Sequence, residues 1–256
     1  MKKSLLALAL VPLFLNAQSL IGGSNIVKVN LSSLALGSYS VSYERKILPH
    51  ITASLNINDM PKRGLPFQNT VEQYASSSFI DYGNTQVGNF SITPELRLYV
   101  IGAGHGFYIA PYARFTNMDL NVPLNYSYKS PVNGSTVNKN MDLSGNIKAT
   151  SGGLMIGTQH QLFKKVVIDI WILGGHYGSC NGNLTAPYTP TDNNPNSKTS
   201  QNEQAGILSA LNTIKPSPFK VTPTVSQTAT SASATLNVSG PWVGVRALGI
   251  NIGIRF

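Results

Sequence analysis

The sequence has few charged residues, a single cysteine and no long apolar run beyond its first residues. Charged residues make up 11% of the 256 residues, whereas roughly 25% is usual in soluble domains. Cys180 is the only cysteine, which excludes an internal disulfide and a cysteine metal cluster, and we expect it in a loop. No stretch of about 18 apolar residues follows the N-terminal segment, so no transmembrane helix is expected.

Acidic residues are also scarce, and the resulting positive charge is spread along the chain. The sequence holds 10 acidic and 19 basic residues, a formal net charge of +9. Because the basic residues are scattered rather than clustered, we expect no nucleic-acid partner. We instead expect that the protein lies among anionic lipid head groups, including those of lipopolysaccharide, which would attract its positive charge.

The first residues have the pattern of an export signal. Lys2 and Lys3 precede an apolar run from Leu5 to Leu15, and Ala17 is a plausible cleavage residue. The run is too short for a membrane anchor. We therefore predict a signal peptide over residues 1–17 and a mature domain over residues 18–256.

The mature sequence alternates between apolar and polar residues, as strands with one apolar face do. The last segment is the clearest case, with isoleucines at 250, 252 and 254 interleaved with Gly249, Asn251, Gly253 and Arg255. Eight such segments are predicted as strands: 26–36, 39–47, 51–58, 89–101, 107–116, 148–162, 166–177 and 242–256. Pro94 and Pro111 lie within two of them, where we expect bulges or strand ends, because proline removes a ladder donor.

Short and long connections alternate between these strands. The short ones are 48–50, 102–106 and 163–165, and the long, polar ones are 59–88, 117–147 and 178–241. This asymmetry is typical of outer-membrane barrels. We therefore predict an all-β fold, an eight-stranded antiparallel up-and-down transmembrane β-barrel with three long extracellular loops. Within the last loop, helical spacing predicts a short helix over 203–215, and the flanks 189–202 and 222–235 are expected to lack regular structure.

The polar strand faces carry most of the strand charges, together with glycine and large aromatics, which favours a polar interior. Arg45 and Arg246 are expected on the outer face near its edges. An eight-stranded barrel has room inside only for side chains, so we predict a salt-bridged plug, with a narrow channel as the alternative. The predicted interior charge network consists of Lys28, Glu44, Lys46, Glu95, Arg97, Arg114, Asp169 and Arg255.

Five segments carry a resemblance to known proteins: 30–37, 40–46, 94–99, 106–115 and 249–256. Together they resemble a family of small outer-membrane barrels of unknown function that is abundant in Bacteroidetes. The architecture is also similar to the eight-stranded membrane domain of outer membrane protein A. The resemblance implies an outer-membrane location, and it implies that Phe256 is part of the signal read by the barrel-assembly machinery. It implies no activity.

The sequence offers no diagnostic catalytic, cofactor or metal motif. His176 and Ser179 are the only candidates for a lipid A deacylase pair, and their spacing is not diagnostic. We expect no enzyme, no cofactor and no metal, and we expect a structural or surface-interaction role in which the long loops bind any ligand. A lipid A-modifying enzyme is the alternative.

Overall fold

Alternating residues of the chain form long antiparallel strands in the computed structural model, which describes residues 25–74, 78–162, 165–214 and 218–256. The predicted signal peptide lies outside these residues. The strands are β1 Asn25–Asn30, β2 Tyr39–Leu48, β3 Ile51–Gly64, β4 Gln86–Tyr99, β5 Gly106–Lys129, β6 Thr136–Leu162, β7 Val166–Pro187, β8 Lys220–Gln227 and β9 Ala232–Arg255. The helices are α1 Leu31–Ala35, α2 Gln68–Tyr74 and α3 Lys198–Asn212.

Eight of the strands form one closed ring. Strands β1 to β7 pair in sequence order, β7 pairs with β9, and β9 pairs with β1. All these pairings are antiparallel, and the closing pair runs from Ile26 opposite Arg255 to Asn30 opposite Asn251. The predicted all-β, eight-stranded barrel is therefore confirmed. Strand β8 lies outside the ring and pairs with the first part of β9.

The two ends of the ring differ in the length of their connections. At one end, which we call the short-turn end, β2 joins β3 through Pro49 and His50, and β4 joins β5 through residues 100–105. At the other end, the extended end, β5, β6, β7 and β9 continue well past their neighbours and carry α3 and β8. Among the described residues, no helix is long and apolar enough to cross a membrane.

The long connections predicted at the extended end are mostly strand. Strands β5 and β6 pair up to Lys129 opposite Thr136, within the predicted loop 117–147, and β7 and β9 pair within the predicted loop 178–241. Strand β3 likewise continues to Gly64, and α2 lies within the predicted connection 59–88. These loop bounds were wrong because Asn, Ser and Thr on the outer face conceal the alternation of the buried residues opposite them.

The predicted first strand, 26–36, is half strand and half helix. Strand β1 ends at Asn30, whose side-chain Oδ1 accepts a hydrogen bond of 2.7 Å from the backbone N–H of Ser33. This is an N-cap, and α1 begins at the next residue. The helix takes the chain out of the barrel wall at a point where β2 and β9 continue.

Pro94 and Pro111 lie inside strands without shifting their register, contrary to the predicted bulges or strand ends. Pro94 pairs with Leu55 on β3, and Pro111 pairs with Leu154 on β6. The β4–β5 ladder lacks pairs beside both prolines but resumes in the same register, from Glu95 opposite Tyr112. The backbone N–H groups that the two prolines lack are therefore both missing from the β4–β5 ladder. The rest of the ring maintains the register of this ladder.

The extended end has an apolar core of its own. Helix α3, which begins after the N-cap Ser197, covers most of the predicted helix 203–215. Its Ile207 and Leu211 are fully buried against the inner face of the sheet, among residues such as Leu124 and Leu143. We call α3, β8 and the adjoining ends of β5, β6, β7 and β9 the cap module. The flanks predicted to lack regular structure contain the start of α3 and most of β8.

Two adjacent irregularities change which residues of β7 and β9 face inward. Trp171 pairs with Gly249 and Leu173 pairs with Ala247, so Ile172 and Leu248 are both skipped. Leu248 has a positive φ of 42°, which is uncommon for a residue other than glycine. Beyond this point the alternation of β9 reverses. Arg246 is therefore buried inside the barrel, and its predicted place on the outer face was wrong.

Candidate functional site: the buried charge network

The barrel is polar inside and apolar outside. Lys28, Glu44, Arg97 and Asp169 all have 0% exposure and lie on four different strands. The residues that alternate with them on the outer face, such as Leu96 and Leu98, are exposed. Buried charges are tolerated only when they are paired and hydrogen-bonded, so the contacts of each ion decide what this interior can do.

The ammonium group of Lys28 donates hydrogen bonds to three partners. Its Nζ donates to Glu44 Oε2 at 2.5 Å, to Asp169 Oδ2 at 2.6 Å and to Gln159 Oε1 at 2.8 Å. An ammonium group has three protons. Lys28 therefore has no donor left, and it ties together side chains of β2, β6 and β7 from its place on β1.

Arg97 joins this cluster to Glu95 on its own strand. Its Nη1 donates to Asp169 Oδ2 at 2.7 Å and to Glu44 Oε2 at 3.1 Å, and its Nε and Nη2 both donate to Glu95 Oε2. The guanidinium carbon lies 4.7 Å from the centre of the Tyr108 ring, within the range of a cation–π contact.

Arg246 extends the network toward the extended end. Its Nη1 donates to Glu95 Oε1 at 2.7 Å. Its guanidinium carbon lies 4.2 Å from the ring centre of Trp171 and 4.9 Å from that of Tyr112. The rings of Tyr112 and Trp171 thus lie around Arg246 and help to shield its ion pair with Glu95 from water.

Hydroxyl groups satisfy the remaining carboxylate oxygens. Glu44 Oε1 accepts from Thr52 Oγ1 and from Tyr99 OH, each at 2.8 Å, and Asp169 Oδ1 accepts from Tyr108 OH at 2.7 Å. Every charged group in this layer is therefore paired from within the barrel. We call this layer the plug, and an ion crossing it would have to replace several short, charge-assisted hydrogen bonds.

The structure brings five of the eight predicted network residues together: Lys28, Glu44, Glu95, Arg97 and Asp169. The other three lie elsewhere. Lys46 is exposed beside a register shift at the short-turn end. Arg255 Nη1 donates to Gln161 Oε1 at 2.6 Å. Arg114 is half-buried, and none of the described residues forms an ion pair with it.

Two members of the network were missed. The alternation of β6 places Gln159 inward, and this could have suggested a neutral acceptor for Lys28. Arg246 had no such signal, because its orientation depends on the skipped Leu248 in β9.

The deacylase pair weighed from the sequence is not brought together. His176 is half-buried and faces inward, where its Nδ1 lies 3.1 Å from Tyr112 OH, whereas Ser179 is exposed on the outer face. Residues three apart on a strand face opposite sides. Cys180, expected in a loop, is buried on β7. Within the described ranges, no group of three or more His, Cys, Asp or Glu side chains is arranged to hold a metal ion.

A further buried carboxylate, outside the charge network, holds α3 in the cap module. Glu203 Oε1 accepts from Lys139 Nζ at 2.7 Å and from Tyr126 OH at 3.0 Å, and Oε2 accepts from the Thr191 N–H at 2.8 Å. Burial alone would raise the pKa of Glu203, but these hydrogen bonds and the charge of Lys139 lower it below its ordinary value. The ionised carboxylate therefore fastens the helix to the sheet.

Phe256 completes the closing seam. Its N–H and C=O form a reciprocal pair of backbone hydrogen bonds with Asn25, at 2.9 Å and 2.8 Å. The last residue of the chain is thus paired with the first described residue of β1.

The fold and its interior define a class: a closed antiparallel β-barrel with an apolar outer face and an ion-paired core. A family model described as a protein of unknown function, DUF3575, matches residues 4–209. The chain belongs to this family. The match spans the ring from β1 to β7 and extends into α3. No curated protein matches the chain.

Proposed function

We propose that the protein is an integral outer-membrane β-barrel with a structural or surface-interaction role. The observation that carries this proposal is the apolar outer face of the ring. Large apolar side chains remain exposed on all sides of it, for example Val41, Leu55, Leu98, Ile109 and Ile250. Water-soluble proteins rarely leave a continuous apolar surface of this kind uncovered, whereas a lipid bilayer would cover it.

The difference between the two ends supports an orientation. Barrels of the outer membrane have short periplasmic turns and longer extracellular loops. In this orientation, the short-turn end faces the periplasm and the cap module stands on the cell surface. Phe256 then lies at the periplasmic side, where we propose that the last strand is recognised by the barrel-assembly machinery. Outer-membrane lipids and lipopolysaccharide are the proposed partners of the apolar face.

The paired charges of the plug favour a structural or surface role over transport. Arg97 alone contacts three carboxylates, and an ion would have to break these contacts to cross that layer. Refolded protein in a planar bilayer is therefore expected to give no steady conductance. Regular conductance steps from the wild-type protein would favour the narrow channel instead.

The cap module is the proposed site of surface interaction. It has its own apolar core, and its outer face carries polar side chains such as Asn125 and Asn138. Replacing residues 188–231 with a short turn would remove α3 and β8 while leaving the ring intact. If the module binds a surface ligand, this variant loses adhesion or phage attachment but still folds as a barrel. Replacement of the small turn 130–135 is the matched control, with no expected effect.

A further inference from the structure

The wall of the barrel has an opening beside β9. Strand β8 pairs with β9 as far as Ser239, and β1 pairs with it from Asn251 onward. Among the described residues, no strand pairs with residues 240–250 on the side away from β7. In this stretch the Ile250 N–H donates a hydrogen bond of 3.0 Å to Ser32 Oγ on α1. We call this gap in the ladder the lateral opening.

The rim of the lateral opening is apolar. It exists because β1 ends at Asn30, and α1, which begins at Leu31, takes the chain out of the wall. Leu34 of α1 and Leu36 beyond it are exposed on one side. Val243 and Val245 of β9 are exposed on the other side, at 64% and 70%. In the proposed orientation, this rim lies in the outer half of the bilayer.

Behind the rim, two glycines leave space for aromatic and imidazole rings. Tyr112, Gly153, His176 and Gly244 pair in one row across β5, β6, β7 and β9. A Cβ atom at Gly244 would lie 2.4 Å from His176 Nε2, and one at Gly153 would lie 2.7 Å from Tyr112 Cζ. The imidazole of His176 therefore lies directly against β9 at the level of the opening.

This part of the interior has more positive than negative charge. The charged groups of the plug and the layer above it include three carboxylates, Glu44, Glu95 and Asp169, and four cations, Lys28, Arg97, Arg114 and Arg246. The excess cation is Arg114, which lies in the layer above the plug and interacts with the charges of Arg246, Glu95 and His176. Both carboxylate oxygens of Glu95 are already bonded to Arg97 and Arg246. A half-buried guanidinium without a carboxylate partner favours an anionic ligand.

Several buried polar groups of the described residues lack a hydrogen-bond partner, and the indole of Trp171 is one of them. The indole Nε1–H of Trp171 is buried and has no acceptor in the described part of the chain. Buried donors are normally satisfied, and an exception often marks a missing ligand or water. Because Trp171 lies against Arg246, this donor belongs to the same region as the uncompensated charge.

We propose that the lateral opening admits a single-chain anionic amphiphile from the membrane, whose oxyanion head group pairs with Arg114 beside His176 and whose acyl chain lies along the apolar rim. This inference rests on the proposed membrane function. A free anion would need no apolar rim, and a neutral amphiphile would need no unpaired arginine. The two features together favour a ligand with both properties.

Fluorescence quenching tests this site. The protein carries Trp242→Phe, so that Trp171 is the only tryptophan, and it is refolded in a neutral detergent. Bromododecanoate, an anionic amphiphile with a quenching acyl chain, is expected to quench Trp171 at lower concentration than neutral bromododecanol. Bromoacetate, the same head group without the chain, is expected to have little effect. Arg114→Gln should raise the half-quenching concentration of bromododecanoate about tenfold or more.

The controls separate this site from general partition into micelles. Arg114→Lys keeps the charge and should retain most of the preference, and Lys148→Gln, which removes an exposed cation, should change nothing. Equal quenching by the charged and neutral amphiphiles, or no effect of Arg114→Gln, would overturn the amphiphile site. Quenching by bromoacetate alone would show a site for free anions and would also overturn it. The heat-dependent gel shift of the same samples reports the barrel separately, so its absence would overturn the proposed function itself.

Discussion

Arg97 and Asp169 are 72 residues apart in the chain and are joined by a hydrogen bond of 2.7 Å across the inside of the barrel. Their strands, β4 and β7, are not neighbours in the ring. The bond therefore spans the interior rather than following the wall. Together with the bonds of Lys28 to Glu44 and Asp169, it links four strands across the barrel core at one level.

Asp169→Asn is expected to destabilise the barrel strongly. The substitution removes the charge that Lys28 and Arg97 share, and breaking a buried ion network typically costs about 3–5 kcal/mol. The measurement is the temperature at which the folded gel band converts to the unfolded band. Asp119→Asn is the control, because its ion pair with Lys62 is largely exposed and worth less than about 1 kcal/mol. Equal shifts for both variants would contradict the plug.

The skipped residues in β7 and β9 predict an unusual labelling pattern. Two consecutive residues of β9, Ala247 and Leu248, face outward, whereas Arg246 faces inward. In a Cys180→Ala background, spin labels on cysteines at positions 247 and 248 should both be relaxed by a lipid-soluble reagent. A strand without the irregularity would expose only one of the two, and that result would refute the assigned orientation of Arg246.

We expect the stability of the cap module to depend on pH through Glu203. Its pKa is lowered in the folded protein, so its contribution to stability is complete above the ordinary value of 4.5 and is lost as the pH falls through the folded value. The protection of α3 against hydrogen exchange, expressed relative to the intrinsic amide exchange rate at each pH, should therefore fall on acidification below about pH 4.5. Glu203→Gln should show fast exchange already at neutral pH, with little further change in acid. Glu72→Gln, in helix α2, is the control and should leave the acid response of α3 intact.

The strands nearest the short-turn end could be predicted from the sequence because one periodicity governs them. Apolar residues such as Ile250 and Ile252 face outward throughout, and polar residues face inward. The cap module reverses this arrangement, with Leu124 and Tyr126 inside and Asn125 outside. Its polar outer face resembles a loop in composition, so strand pairings that only the fold establishes were missed.

The site was predictable where alternation is regular and not where it breaks. Lys28, Glu44, Glu95, Arg97 and Asp169 were predicted because they lie on uninterrupted strand segments. The orientation of Arg246 depends on one skipped residue, and a single such irregularity moves every following side chain to the opposite face. Arg114 was correctly expected on the inner polar face, but only the structure shows that it lacks a carboxylate partner.

We propose that this chain is a closed barrel of the outer membrane. This proposal is tested most directly by gel mobility of the outer-membrane fraction, with and without boiling. Our account predicts that the protein is recovered in that fraction and that unboiled protein migrates differently from boiled protein, because the closed ring resists the detergent at room temperature. Recovery as a soluble periplasmic protein, with the same mobility before and after boiling, would contradict it.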